Sequence, residues 1–285
     1  MLSVRLAVLL ALLVTSLLSA RQAGEIRLIV KGDDMGAGHG INVATIEAFK
    51  RGIVRTTNVI VPGPWMPEAV RLLREHPDLD VGVHLALTSE WENIKWRPLT
   101  WAPSLVDADG YFFPMVTPRP GFAPGSSLQE ANPKLDEIER ELRAQIETAK
   151  RHIPHVTYTW PHMLFTRLSP EIDALVARLT REYGLVRPMD LGVQFVGGIY
   201  DSRDTGTVKA DKLAARLETL GPGLWLIVDH AATDTPEMRA FGHVGYEWVA
   251  ADRSGVLEAW TSPKVKAVIE RRGIRLTNYR ELLGR

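Results

Sequence analysis

Short apolar runs alternate along the chain with segments in which apolar residues recur every three or four positions. Seven runs have the length and apolar content of buried strands: 26–30, 56–63, 80–87, 155–160, 184–190, 224–231 and 273–279. Four segments have the spacing of amphipathic helices: 41–52, 67–77, 133–152 and 169–183. Strands that alternate with helices in this way predict a mostly parallel sheet covered by helices.

The number of strands predicts a larger arrangement of the α/β class. We expect a single (β/α) barrel-like domain over residues 24–285, distorted or incomplete, with a long insertion after the third strand. The insertion covers 88–130, is rich in Pro, Gly and Trp, and shows no clear period. Because the sites of such barrels lie at the carboxyl ends of the strands, polar residues at those ends are the candidates for chemistry.

The segment 1–23 predicts a signal peptide rather than part of the fold. MLSVR carries one Arg, the apolar stretch LAVLLALLVTSLL follows, and small residues stand at Ser19 and Ala20. This stretch is short for a membrane span, so we expect cleavage, a secreted or periplasmic location and no stable membrane insertion of the mature chain. An uncleaved membrane anchor is the alternative.

Charge and cysteine content narrow the classes of function. The 34 basic residues balance the 34 acidic ones, so no overall field favours nucleic acid as a partner. The chain of 285 residues has no Cys, which excludes disulfides, thiolate metal sites and Cys nucleophiles. Any metal must therefore be held by His, Asp or Glu. Nothing in the sequence determines the oligomeric state.

Five polar residues fall at or near the carboxyl ends of predicted strands: Asp33, Asp34, His84, His162 and His230. Taken singly, an Asp pair is also typical of a turn or helix cap, and a His within an apolar strand is often a core residue. Taken together, they offer one carboxylate and two imidazoles as ligands, a set that suits Zn²⁺ or a similar divalent cation. The neighbouring carboxylate is then free to move a proton.

Two motifs carry a resemblance to a known family. The stretch KGDDMGAGHGINVATIEAFKRGIVRTTNVIV, followed by VGVHLALT, resembles the ChbG/YdjC family of carbohydrate deacetylases, and the closing segment TSPKVKAVIERRGIRL with Arg253 is also similar. The resemblance covers most of the chain after the predicted signal. One element departs from the family pattern: where the family has T-H-L-D-S-H, this chain has TYTWPH, which keeps the final His162 but not the supporting His and Asp.

The resemblance implies a metal-dependent hydrolase that removes acetyl groups from N-acetylated sugars or oligosaccharides. It implies that Asp34, His84 and His162 hold a divalent ion, either Zn²⁺ or Mg²⁺. By the same resemblance, Asp33 is the general base and His230 the general acid. The implied substrate is a small carbohydrate.

Three further residues are predicted to bind substrate. The resemblance implies this role for Arg187, a basic residue in a predicted strand. Trp91 and Trp96 belong to the aromatic-rich insertion, where exposed rings beside a polar cleft commonly stack on sugars. An equally open interpretation is that the aromatic residues of the insertion seal it against the barrel.

Two other functions compete with deacetylation. One is a different metal-dependent amide or ester hydrolase on the same scaffold, for instance one acting on a phosphoester. A phosphate site would need several cations near the cleft, and Lys31 and Arg187 are the evident ones in the sequence. The other is a secreted carbohydrate-binding protein whose catalytic machinery has decayed, because loss of the groups that support a metal ligand weakens metal binding.

Overall fold

Parallel strands form a sheet that curls into a half-barrel in the computed structural model, which describes residues 24–284. The strands are Ile26–Met35 (β1), Thr56–Val59 (β2), Asp80–Leu85 (β3), Val156–Pro161 (β4), Gln194–Phe195 (β5), Gly223–Asp229 (β6) and Arg275–Thr277 (β7). Their order is β4-β3-β2-β1-β6-β5, and β7 pairs with the amino-terminal half of β1. The predicted α/β class and the incomplete barrel are confirmed, whereas the proposed signal peptide at 1–23 lies outside the described residues.

Helices follow most of the strands and cover the outside of the sheet. They are His39–Arg51 (α1), Met66–Glu75 (α2), Leu135–His152 (α3), Pro170–Glu182 (α4), Gly206–Glu218 (α5), Val249–Thr261 (α6), Pro263–Arg271 (α7) and Tyr279–Leu282 (α8). The four helices expected from the apolar spacing correspond to α1 to α4. Within the described part of the chain, no helix is both long and apolar enough to cross a bilayer.

The central strand β1 leads directly into the candidate site. Leu28, Ile29 and Val30 are fully buried because the strand is covered on both faces. The strand continues to Met35, beyond the predicted end at residue 30. The register of its pairing with β2 shifts between Gly32 and Met35, and Asp34 has φ 74°. The strict alternation of side chains between the two faces of the strand is therefore broken at Asp33 and Asp34.

The half-barrel is open between β4 and β5, a gap that we call the seam. The prediction of a strand at 184–190 is wrong. Val186 forms a single bridge to Tyr158, and the chain then enters a 3₁₀ turn at Pro188–Leu191. Pro188 has no N–H with which to continue a ladder. The two-residue strand β5 forms later and pairs with β6 instead of β4.

The insertion after β3 packs against the carboxyl-terminal edge of the sheet and against α3. Two buried carboxylates of α3 hold the backbone of the insertion. Glu141 accepts hydrogen bonds from the N–H groups of Leu99 and Thr100, and Glu137 accepts one from Ser104. The predicted long insertion is thus an ordered cover rather than a loose loop.

Candidate active site

Polar side chains from four strand ends meet in a cleft of about 610 Å³. Asp33 belongs to the end of β1, His84 to β3 and His230 to the position after β6, while His162 follows β4. The carboxyl ends of parallel strands lie on the same edge of a sheet, so residues far apart in sequence come together there. The structure places the predicted polar residues around one cleft.

Asp33 is held from two sides inside the half-barrel. The ammonium of Lys31 donates a hydrogen bond to Asp33 Oδ1, and Asn58 Nδ2 donates to the same oxygen at 2.9 Å. Lys31 is fully buried, with its ammonium 3.9 Å from the centroid of the Trp160 ring. It is therefore a support for Asp33, and it is not available to a phosphate in solution. Burial lowers the pKa of Lys31 to about 8, and burial raises the pKa of Asp33 by more than Lys31 offsets.

Asp34 has one oxygen that is bonded and one that is not. Its Oδ2 accepts a hydrogen bond of 3.0 Å from Arg253. Its Oδ1 is buried and has no hydrogen-bond partner among the described residues. Burial opposes ionisation of this carboxyl, but His230 and Arg253 outweigh burial and hold its pKa well below the usual range. A buried anionic oxygen without a donor is costly unless something else binds it.

Asn58 also orients His84. Its Oδ1 lies 2.7 Å from His84 Nδ1 and also accepts the backbone N–H of Asp34. Because this oxygen only accepts hydrogen bonds, Nδ1 carries the hydrogen and Nε2 keeps its lone pair. Burial lowers the pKa of His84 well below its ordinary value, so the ring is neutral, as a metal ligand must be.

His162 has a supporting partner in spite of the altered element before it. Thr88 Oγ1 lies 3.1 Å from His162 Nδ1, and His162 Nε2 lies 3.4 Å from a carboxylate oxygen of Glu90. Thr88 thus orients the ring in place of the His and Asp that the family pattern has. Trp160 of the same element covers Lys31 instead of supporting the imidazole.

The donor set around Asp34 fits a divalent cation. Ligand atoms of Asp34, Glu90 and His162 all lie within 4.8 Å of one another, and Asp34 Oδ1 is the buried oxygen without a partner. His84 lies beside this group, with its ring centroid 5.1 Å from that of His162 and its Nδ1 3.6 Å from Asp34 Oδ1. Carboxylate and imidazole donors suit Zn²⁺ and related ions. Glu90 lies two residues beyond the motif VGVHLALT, and no local pattern in the sequence marks it as a ligand.

Backbone strain marks the same region. Among the described residues, five that are not glycine have positive φ. Three of them, Glu90, Met163 and Leu164, line the cleft, and a fourth, Asp34, is buried beside its His84. Such conformations cost about 1–3 kcal/mol each and persist where the surrounding structure enforces them. This clustering is typical of a functional site.

His230 is the most accessible of the candidate residues. Its side chain is 35% exposed, and its Nε2 lies 3.7 Å from Asp34 Oδ2. Its Nδ1 lies 3.5 Å from Asp229, which accepts a 2.7 Å hydrogen bond from Tyr200. Burial disfavours the charged ring, but the carboxylate of Asp34 outweighs burial and raises the pKa of His230. Tyr200 was not identified from the sequence.

The predicted substrate-binding residues do not line this cleft. Trp91 is fully buried, with the Arg253 guanidinium 4.9 Å from its ring centroid. Trp96 is also buried and donates from its indole nitrogen to Thr88 O. Rings in these positions cannot stack on a sugar, and their burial matches the interpretation that the aromatic residues seal the insertion. Arg187 pairs with Asp173 and lines a second cavity beside the cleft.

Two other arginines reach the cleft. Arg119, from the insertion, and Arg167, from the turn after β4, are exposed and line its walls. Their positions relative to the strand ends depend on the insertion and on the turn that follows β4. No local pattern in the sequence distinguishes them from ordinary surface arginines.

Comparisons with known proteins agree on one family. The pattern of the family described as YdjC-like protein matches residues 27–271. A carbohydrate deacetylase of Thermoanaerobacter pseudethanolicus is 31% identical over 88% of this chain and 97% of its own length. A chitooligosaccharide deacetylase of Yersinia pestis is 30% identical over 88% of this chain and 97% of its own length.

A solved structure is also similar to this chain over most of its length. It is a candidate cellobiose-phosphate cleavage protein from Enterococcus faecalis, 26% identical, which superposes with a TM-score of 0.72. The match covers 90% of this chain and 99% of that one. With the family pattern extending from β1 to α7, the chain belongs to the YdjC-like family.

Proposed function

We propose that this protein removes acetyl groups from N-acetylated sugars with the help of a divalent cation. The observation that carries the proposal is the buried, unpartnered Oδ1 of Asp34, which lies among His84, His162 and Glu90 and beside a separately held carboxylate, Asp33. The names of the relatives as carbohydrate and chitooligosaccharide deacetylases support the same chemistry.

Asp34, His84 and His162 would hold the ion, with Glu90 as a further ligand. When bound, a divalent cation polarises a carbonyl group and lowers the pKa of water. Both effects are needed for hydrolysis of an amide, because an amide is a poor electrophile. The residues also prepare the site themselves. Asn58 fixes the hydrogen on Nδ1 of His84, and the Thr88 hydroxyl contacts Nδ1 of His162, so that these partners leave Nε2 of each ring for a ligand.

Asp33 is the proposed general base. It accepts a proton from the water whose oxygen attacks the acetyl carbonyl carbon. Lys31 and Asn58 hold its Oδ1 in one position, and Asp33 reaches the cleft. Burial raises its pKa, which makes the carboxylate a stronger base than an exposed aspartate.

His230 is the proposed general acid. The carboxylate of Asp34 raises the pKa of His230, which favours the protonated ring, and the partial exposure of the ring lets it reach the departing sugar nitrogen. When the carbon–nitrogen bond breaks, His230 donates its proton to that nitrogen, so that acetate and a free amine leave. The Tyr200 hydroxyl holds Asp229, which in turn lies beside His230 Nδ1. A positioned acid of this kind contributes about 10²–10⁴-fold to the rate.

The test is acetate release from a panel of N-acetylated sugars, measured with and without a chelator. We expect wild-type release that the chelator abolishes and added metal restores, and loss of both release and metal content in Asp34→Ala. Asp136→Ala is the matched control, because this carboxylate is 76% exposed on α3. Acetate release that the chelator does not reduce would contradict the metal requirement. Sugar binding without acetate release would identify a binding protein that has lost its catalytic activity.

Arg119 and Arg167 favour a second candidate, hydrolysis of a phosphoester on the same scaffold. Arginine is well suited to phosphate because its planar guanidinium donates two parallel hydrogen bonds. Phosphate release from sugar phosphates, measured beside acetate release in the same preparations, separates the two reactions. Phosphate release without acetate release would replace the first proposal by the second.

We also propose that the protein is exported. The support is the order of a basic, an apolar and a small-residue region within 1–23. Mass analysis of the protein isolated from its host tests this. A chain beginning near residue 21 and found outside the cytoplasm is expected, and an intact chain from Met1 in the cytoplasm would contradict export.

A further inference from the structure

A lysine is fully buried between α5 and α6, away from the cleft. The ammonium of Lys209 on α5 donates hydrogen bonds to Asp252 Oδ1 at 2.7 Å and to the backbone carbonyl of Asp201 at 2.8 Å. Gly255 of α6 makes room for this side chain, since a Cβ at that position would lie 3.0 Å from Lys209 Cε. A buried ion pair seldom adds stability over apolar packing, so its place is better explained by what it holds.

Lys209 holds the connection between β5 and α5, which carries Tyr200. Its ammonium lies 4.5 Å from the centroid of the Tyr200 ring. Asp201, whose carbonyl accepts the hydrogen bond from Lys209, is the residue that follows Tyr200. A cation over the ring face and a charged hydrogen bond to the neighbouring carbonyl together fix the ring and its backbone.

Tyr200 makes the next contact towards the proposed general acid. Its hydroxyl donates a 2.7 Å hydrogen bond to Asp229 Oδ2. The other oxygen, Asp229 Oδ1, accepts the backbone N–H of His230 at 2.8 Å and lies 3.5 Å from His230 Nδ1. Burial and the carboxylate of Asp229 raise the pKa of Tyr200 well above its ordinary value, so the hydroxyl keeps the hydrogen that it donates.

Another lysine of the same helix shows the difference between this arrangement and a surface ion pair. Lys212 is 46% exposed and pairs with Asp204 on the surface of the protein. Exposed pairs of this kind contribute little to stability. The contacts of Lys209 are buried, and they lead through Tyr200 to a carboxylate beside the cleft.

We propose that Lys209 is a positioning residue for the general acid: its ammonium fixes Tyr200, whose hydroxyl holds Asp229 against His230. The inference rests on the proposed deacetylase function and deepens it, because it assigns a part in proton donation to two residues that do not line the cleft, Lys209 and Tyr200. Loss of either residue should therefore lower kcat and leave KM unchanged.

The first test measures kcat and KM for acetate release from the best N-acetylated sugar, at a metal concentration that saturates each protein. Tyr200→Phe and Lys209→Met should each lower kcat about tenfold, because a hydrogen bond to a charged group loses its donor or its support. The double variant should be no slower than the slower single variant, since both residues act through one contact. Lys212→Met is the matched control and should have the wild-type kcat.

The same substitutions in a His230→Ala background separate positioning from a general structural role. Residues that act through His230 should not reduce the residual rate further once its imidazole is gone. A residue that only maintains the fold would lower the rate in both backgrounds alike. Equal losses with and without His230 would therefore overturn the proposal.

A further variant guards against loss of folding. Lys209→Met leaves Asp252 without its cation, and an unpaired buried charge is destabilising. Lys209→Met combined with Asp252→Asn removes both charges and keeps an acceptor for the Tyr246 hydroxyl. This pair should show the same loss of kcat per folded molecule, and wild-type kcat in it would contradict the role of Lys209.

Crystal structures of the variants distinguish failure of this proposal from failure of the proposed function. In Lys209→Met, the Tyr200 hydroxyl should lie beyond hydrogen-bond distance of Asp229, whereas Lys212→Met should keep the contact of 2.7 Å. An unmoved hydroxyl would overturn the positioning role alone. A displaced hydroxyl, together with no acetate release from any sugar by wild-type protein, would overturn the proposed function but support the positioning of Asp229 by Lys209 and Tyr200.

Discussion

Two buried carboxylates in the same sheet have opposite surroundings. Asp80, at the start of β3, is fully buried, and its oxygens accept hydrogen bonds from Thr157 at 2.6 Å, Thr56 at 3.0 Å and the Tyr279 N–H at 3.1 Å. Asp34, at the end of β1, is equally buried, but its Oδ1 has no partner among the described residues. Asp80 ties three segments together, whereas Asp34 keeps an oxygen available for a ligand.

The position along the strand accounts for this difference. Asp80 lies at the amino end of the sheet, where α8 and the neighbouring strands β2 and β4 supply donors. Asp34 lies at the carboxyl end, where the strands open into loops and imidazoles surround it. Burial alone therefore does not identify a functional carboxylate, whereas an incomplete set of hydrogen bonds does.

The largest expected effect tests the unpartnered oxygen. Asp34→Asn should reduce kcat/KM for acetate release roughly 10³-fold and abolish metal retention, because the ligand charge is lost while the shape is kept. Acetate assays with metal analysis measure this. The circular dichroism spectrum should remain that of the folded protein. Activity within tenfold of wild type would show that Asp34 is not a ligand.

The next effect tests the satisfied carboxylate. Asp80→Ala should lower the free energy of unfolding by about 3 kcal/mol, because it leaves buried donors on Thr56, Thr157 and Tyr279 without their acceptor. Urea denaturation measures the change. The kcat/KM per folded molecule should stay close to that of wild type, and a loss comparable to that of Asp34→Asn would erase the distinction between the two carboxylates.

A smaller effect tests the support of His162. Thr88→Val removes the hydroxyl next to His162 Nδ1 and should weaken metal binding about 10–100-fold. Competition with a chelator of known affinity measures it. Thr88→Ser keeps the hydroxyl and is the matched control. Equal metal affinities in all three proteins would mean that another group orients His162.

The smallest effect concerns pH. Burial raises the pKa of Asp80 more than its hydrogen bonds from Thr157 and Thr56 lower it. The folded protein therefore binds a proton at pH values where the unfolded chain has lost it, so this contribution to stability is complete below the unfolded pKa and is lost as pH rises. Asp80→Asn removes the dependence.

The measurement for this last prediction is the difference in unfolding free energy between wild type and Asp80→Asn from pH 4 to pH 7, by urea denaturation. The free energy of unfolding of wild type minus that of Asp80→Asn should be highest near pH 4 and should fall towards pH 7. A difference that grows with pH would mean that the donors hold Asp80 ionised, as the charges around Asp34 do for that residue.

Much of the fold followed from local patterns. The apolar runs identified β1, β2, β3, β4 and β6 because parallel strands are buried on both faces. Helices α1 to α4 followed from their periodic apolar faces. Helix α6 has no such face, since it buries Arg253 and Gly255 as well as Val256 and Trp260, so its apolar spacing is weak. The strand expected at 184–190 failed because Pro188 ends the ladder and the edge strand formed elsewhere.

The candidate site was predicted in part. The motifs named Asp33, Asp34, His84, His162 and His230. The structure places four of them on the wall of one cleft and buries Asp34 beside His84 and His230. The motifs did not name Glu90, Asn58 or Thr88, whose roles depend on contacts across the sheet. Trp91 shows the opposite error. Its place in a polar insertion favoured the prediction of an exposed ring, whereas packing of the insertion buries the ring completely.

The sequence by itself determined the order of strands and helices, the family and the chemical types of the site residues. These depend on interactions between near neighbours, which repeat with the period of a strand or helix. Only the tertiary structure decided that Arg253, 219 residues away, takes one oxygen of Asp34 and leaves the other without a donor. It also decided that the barrel opens at the seam. Both outcomes depend on which distant segments compete for the same space and the same hydrogen bonds, and local periodicity does not contain that information.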